Sequence, residues 1–178
     1  MTSRPEAPSP AADPGRDRLK AQLQDLVAHL RWADAMTFQA LEACPAALAE
    51  GDVLERLFHT AWVAKAFAEI LQGGTGSFPP KEVPSFEALR DLTRQAGASL
   101  QAWVDGASEA DLEAPRHLPW FPDPPLHLPA REALLQVVLH GQHHRAQTLT
   151  RLKQLGGKAA NVDYIIWLWK GRPEPRWA

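Results

Sequence analysis

Seven histidines, at positions 29, 59, 117, 127, 140, 143 and 144, are the residues of this 178-residue chain whose type and spacing can do chemistry. Three of the seven fall in the string Leu139-His140-Gly141-Gln142-His143-His144-Arg145. On a helix turning about 100° per residue, His144 lies roughly 40° round from His140 and one turn along. Their imidazoles can therefore converge on one ion, which is the logic of an HExxH helix. His143 lies roughly 60° from His140 on the other side, so spacing alone leaves the pair His140 and His143 open. The row Val137, His140, His144 and Thr148 fits an inward face better. A third ligand must come from another helix, and His59 is the candidate because it interrupts the apolar turn Leu57-Phe58-His59-Thr60-Ala61-Trp62, where an unpartnered imidazole is costly. Three neutral imidazoles around a divalent cation leave a fourth position for water or substrate, the catalytic rather than the structural pattern. The ion lowers the pKa of what binds there, water or thiol, toward neutrality. The competing reading of His59 is a hydrogen-bonded core residue. His29, His117 and His127 have ordinary surface readings.

The elements that must position these residues are legible as helical periodicity. Leu19, Leu23, Leu26, Leu30, Ala33 and Ala40 stripe a first predicted helix from Arg16 to about Ala43, ended near Pro45. A second runs from an N-cap at Asp52 through Val53, Leu57, Ala61, Ala64, Phe67 and Leu71 to Gly73-Gly74. Ser85 opens a third, with Phe86, Leu89, Leu92, Ala96, Leu100 and Val104, closed by Gly106. Six prolines between Pro115 and Pro129 predict a helix-free connection over Glu109–Pro129, suited to a lid or pocket wall. Pro129 precedes a fourth helix, Ala130–Leu155, stopped by Gly156-Gly157. The tail is apolar only from Tyr164 to Trp169 and is expected to fold back as a short helix or extended piece. No stretch shows the alternation and hairpin turns of a sheet. The expected fold is all-α: an antiparallel four-helix bundle with a long crossover connection between helices three and four and a short C-terminal segment.

Composition narrows the function classes. Nineteen Lys and Arg against twenty-one Asp and Glu give a net charge of −2, which offers no basic field for nucleic acid. No apolar run approaches the ~20 residues that span a bilayer. The single cysteine, Cys44, can build neither an internal disulfide nor a CxxC pair and carries no sign of activation, so a reducing, cytoplasmic setting is expected. Residues 1–15, with four prolines and no apolar core, read as a disordered tail ahead of a single domain over 16–178.

Together the motifs His59-Thr-Ala-Trp62, Leu139-His140-Gly-Gln-His143-His144-Arg145-Ala-Gln147 and Leu152-Lys-Gln-Leu155-Gly156 resemble the DinB/YfiT-like metalloenzyme family. Arg31-Trp32-Ala33-Asp34 is similar to that family's Trp-Ala-Asn element, and Asp163-Tyr164 to its usual ending. The resemblance covers nearly the whole chain after residue 16. It implies a four-helix bundle, often dimeric, whose ligands are His59, His140 and His144 around one divalent ion, nickel or zinc. It also implies a thiol S-transferase or isomerase that uses a low-molecular-weight thiol such as bacillithiol. Two positions depart from the pattern: Ala146 replaces a glycine, and Asp34 stands where asparagine is usual.

Beyond the ligands, Asp34 can orient a histidine as an acceptor, or serve a solvated or capping role. Arg145 and Gln147 can meet a substrate carboxylate or a partner subunit, or form a helix-end salt bridge. Trp120 and Phe121, with Trp167 and Trp169, can wall a pocket for an apolar substrate, whereas Trp62 and Trp103 read as core. The preferred expectation is a cytoplasmic, homodimeric, metal-dependent thiol S-transferase acting on a small molecule, with no nucleic-acid or membrane partner. A metal-dependent hydrolase and a non-catalytic, stress-associated metal-binding bundle are the alternatives.

Overall fold

The computed structural model describes residues 14–177. The order of elements is α1 (Pro14–Glu42), α2 (Pro45–Leu48), α3 (Gly51–Leu71), α4 (Phe86–Gly106), α5 (Glu109–Glu113), β1 (Pro115–Pro122), β2 (Pro125–Pro129), α6 (Ala130–Gln154) and α7 (Tyr164–Trp169). Of the tail expected over residues 1–15, all but Pro14 and Gly15 lies outside the described residues. No helix among the described residues is long and apolar enough to cross a membrane.

Local chemistry sets the helix ends. Pro45 occupies the first turn of α2, where its missing N–H costs nothing. The Ser85 hydroxyl caps α4 by accepting from the Ala88 amide. The second long helix starts at Gly51 with Glu50 as its cap residue, which leaves Asp52 in the first turn beside the positive end of the helix dipole. The four long helices form the body: α1 and α3 each pack against both α4 and α6. Their periodic residues fill two apolar clusters. One gathers Leu23, Val27, Leu30, Phe67, Leu100 and Leu134. The other gathers Phe38, Leu41, Phe58, Leu89, Leu152 and Trp167. Fully burying each such side chain is worth roughly 1.5–3 kcal/mol. Polar side chains from all four long helices, Asp34 and Thr37 on α1, Thr60 on α3, Thr93 on α4, and Arg145 and Thr148 on α6, line one small pocket.

Two expectations for the segment 109–129 are corrected. Its first residues form α5, because Ser108 and Asp111 make a reciprocal capping box and the prolines begin only afterwards. The proline-rich stretch itself is an antiparallel hairpin, with Pro115 opposite Pro129, Arg116 opposite Leu128, His117 opposite His127 and Leu118 opposite Leu126. Pro115 and Pro129 close the ladder at one end, Pro122 and Pro125 flank the turn, and Pro119 sits in the register shift between Leu118 and Pro122. Prolines at strand ends and irregularities cost few ladder hydrogen bonds. Only Leu118 is fully buried in the hairpin, which explains why no alternation marks it in the sequence.

Candidate metal centre

His140 and His144 project from one face of α6 toward His59 on α3. Their ring centroids lie 4.4 Å apart, and each is 4.9 Å from that of His59. One ligating nitrogen from each of the three lies within 4.8 Å of the others. Small side-chain rotations bring such a set to the ~2.0–2.1 Å metal–nitrogen bonds of a divalent ion. Burial, followed by the neighbouring imidazoles of His144, His59 and His143, pushes the His140 pKa down to about 4. Partial desolvation, with His144 beside it, also lowers that of His59. Both rings are therefore neutral near pH 7, the form that binds metal. Nε2 of His140 is buried and has no hydrogen-bond partner among the described residues. A buried nitrogen left in that state is costly, and a metal ion would supply its missing partner. The residues present fit a divalent cation.

His143 does not join this set. It is exposed, and its Nε2 lies 3.0 Å from Nε2 of Gln147. The same amide places Oε1 2.8 Å from Nδ1 of His144. An amide oxygen only accepts, so Nδ1 of His144 carries the proton and its Nε2 lone pair is left for a ligand. His59 is corrected in one respect: it is exposed rather than buried in its apolar turn, because its face of α3 opens onto a cleft.

Among the described residues, no hydrogen bond joins Asp34 to a ligand histidine. Its carboxylate is ion-paired with Arg145, which also donates through Nη2 to Gln142 Oε1 at 3.2 Å. Burial pushes the Asp34 carboxyl above its ordinary value, against the pull of the guanidinium. Arg145 is neither a helix-end residue nor available to solvent: it is 4% exposed, in the middle of α6. Gly141, on the same helix, lets α6 approach α1, since a Cβ there would stand 2.8 Å from Leu30 Cδ1.

With the site assembled, comparison with known families is informative: the DinB family model matches residues 19–175. The chain belongs to the DinB family. No curated protein and no solved structure matches it.

In this DinB protein Trp120 lines a cleft and Trp103 packs against the first apolar cluster, as expected, whereas among the described residues Phe121, Trp167 and Trp169 line no common pocket with Trp120. Trp120 reaches α3 and stacks on Phe67 at 5.3 Å between centroids; both line a cleft that includes His59. Trp62, expected in the core, packs partly buried against the second apolar cluster and also lines this cleft. Phe121 points to solvent at 52% exposure, Trp169 is 81% exposed, and Trp167 is buried with its indole N–H donated to Pro173 O at 3.1 Å. Trp167 also explains His29, which is buried rather than on the surface: its Nε2 lies 2.8 Å from Val162 O, and its ring contacts Trp32, Tyr164 and Trp167. His117 and His127 are exposed on the hairpin. Cys44 is buried at the start of α2. Sequence reasoning missed the orienting role of Gln147, although its i+3 spacing from His144 and i+4 spacing from His143 on a helix is the signal.

Proposed function

We propose that the chain is a metal-dependent thiol S-transferase in which His59, His140 and His144 hold one nickel or zinc ion. The observation that carries this reading is a set of three imidazole nitrogens within 4.8 Å, with no carboxylate in the set and with His59 open to a cleft. Three protein ligands and an accessible side are the pattern of a catalytic rather than a closed structural site. His59, His140 and His144 would hold the ion, which would supply the positive charge that lowers the pKa of a low-molecular-weight thiol toward neutrality. In the transfer, a carbon–sulfur bond forms as the bond from that carbon to its leaving group breaks. The leaving group departs with the electron pair, and the thiol proton passes to solvent.

The protein's own residues do the positioning. Gln147 fixes the tautomer of His144, the buried Arg145–Asp34 pair ties α6 to α1, and the apolar cleft beside His59 excludes water from the approach of the second substrate. Cys44 is too deeply buried to serve as nucleophile, so the thiol comes from outside. The setting is the reducing cytoplasm, and a homodimer would cover Leu135 and Leu139, exposed one turn apart on α6. The test is conjugation of monochlorobimane by protein purified without a nickel column, with bacillithiol, with cysteine and with no thiol. Metal-dependent turnover with a thiol supports the reading; absence of any metal-dependent conjugation overturns it.

A further inference from the structure

We infer that the cleft beside His59 is a binding slot for a neutral, planar aromatic group, and that this group is the electrophilic half of the substrate. The cleft has a volume of about 340 Å³ and is walled by Phe58, Trp62, Phe67, Phe78 and Trp120, with His59 at its edge. That volume is at the small end of ligand sites, with room for roughly one or two fused rings. His59 is the only ionisable side chain in its lining. A charged ligand would leave its charge without a partner inside, whereas aromatic walls favour another ring in offset or edge contact. His59, the residue shared with the histidine cluster, is the ionisable side chain this lining offers to the polar or reactive end of the ligand.

The slot is built rather than left over from packing. The Trp62 indole N–H is spent on Ser77 O at 3.2 Å, so the ring offers the cleft only its apolar surface. Lys65 sits over that ring at 4.5 Å, ion-paired to Glu69. Ser77 Oγ donates to Glu69 Oε2 at 2.8 Å and accepts from Lys65 Nζ at 3.1 Å. These bonds pin the loop that carries Phe78, Pro79 and Pro80 over the opening. Gly76, at φ +71°, lets this loop close onto α3, because a Cβ there would meet Ile70 Cδ1 at 2.9 Å and Trp120 Cζ2 at 3.5 Å. Phe78 remains 67% exposed, a large apolar ring held at the mouth of the cleft.

The substrate assignment rests on the transferase reading, but occupancy by an arene does not. The experiment titrates the intact protein, metal-free and metal-loaded, with 2-naphthol and with its saturated counterpart decahydro-2-naphthol, following the tryptophan indole N–H signals by NMR. Saturable sub-millimolar binding of 2-naphthol is expected, weakened roughly tenfold for the saturated ring and for Trp120→Ala, and weakened also by Phe78→Ala. Phe78 is exposed, so its removal tests the slot without threatening the fold. His140→Ala, which disrupts the histidine cluster, is expected to leave 2-naphthol affinity within about twofold, because the aromatic walls carry the binding. Absence of saturation, equal affinity for the saturated ring, or indifference to both Trp120→Ala and Phe78→Ala would overturn the slot. Naphthol binding without metal-dependent conjugation of monochlorobimane sinks the transferase reading and leaves the slot. Conjugation without naphthol binding does the reverse.

Discussion

Gln147 Oε1 accepts from Nδ1 of His144 across 2.8 Å, one turn along the same helix. The contact is short-range and sequence-local, yet it decides which nitrogen of the ring is available to an ion. A partner on the far ring nitrogen both sets the tautomer and restrains the ring plane. Gln147→Ala is therefore expected to weaken zinc binding by about 10–100-fold while leaving the melting temperature of the metal-free protein unchanged, because Gln147 is exposed. Gln147→Glu keeps the acceptor, adds charge, and is expected to bind zinc at least as tightly as wild type. Competition titration against a zinc chelator measures both.

The pair formed by Arg145 and Asp34 makes an opposite demand, on stability rather than on metal. Removing one partner of a buried ion pair leaves the other charge uncompensated, at a cost of about 3–5 kcal/mol. Asp34→Ala is expected to destabilise by that order in urea unfolding. Asp34→Asn is expected to cost less, because an amide oxygen still accepts from the guanidinium. The double variant Asp34→Leu, Arg145→Met is expected to recover most of the loss, since an apolar pair removes both desolvated charges. A double variant as unstable as Asp34→Ala alone would show that the pair does more than neutralise itself.

What the sequence made legible follows from the range of the interactions. The four long helices show in their apolar stripes, and the stop signals at Pro45, Gly73-Gly74 and Gly156-Gly157 lie close to the observed ends, because both are local effects. His140 and His144 were recognisable as a pair for the same reason. The hairpin was hidden because its prolines mark breaks in any one-dimensional reading, whereas a two-stranded ribbon tolerates them at its ends and at its register shift. His29 was misplaced because its burial depends on α7 returning from more than a hundred residues away to cover it, and its own turn gives no hint of that. Asp34 and Arg145 are 111 positions apart; each has an unremarkable local reading, and only the packing of α1 on α6 makes them partners.

Metal loading provides a third expectation. An ion that binds only the folded state at a free concentration 100 times its Kd adds about 2.7 kcal/mol of stability. Wild type is expected to show this gain in urea unfolding with added zinc or nickel, together with close to one equivalent of metal by elemental analysis. His59→Ala, His140→Ala and His144→Ala are each expected to lose the gain. The metal-free proteins should keep wild-type helical circular dichroism, because the two apolar clusters, neither of which contains a ligand histidine, hold the fold. A variant that unfolds outright without metal would mark the centre as structural.

The last expectation concerns pH and lies away from the ligands. Burial, opposed by the hydrogen bond to Val162 O, lowers the pKa of His29 below its ordinary 6.5, with the Arg145 charge lowering it further and Asp163 raising it. The folded state thus takes up a proton less readily than the unfolded chain. Stability from this residue is complete above about pH 6.5 and is lost as pH falls below that value toward the depressed folded pKa. His59 and His140 shift in the same direction, so the isolating measurement is a difference. Urea unfolding of metal-free wild type and His29→Gln, across pH 5–8, is expected to give a stability difference that is flat above about pH 7 and shrinks or reverses as pH falls. Glutamine keeps a donor for Val162 O but cannot take the proton. A difference independent of pH would mean that His29 titrates alike in the folded and unfolded chain, and that its contact with the C-terminal segment contributes packing alone.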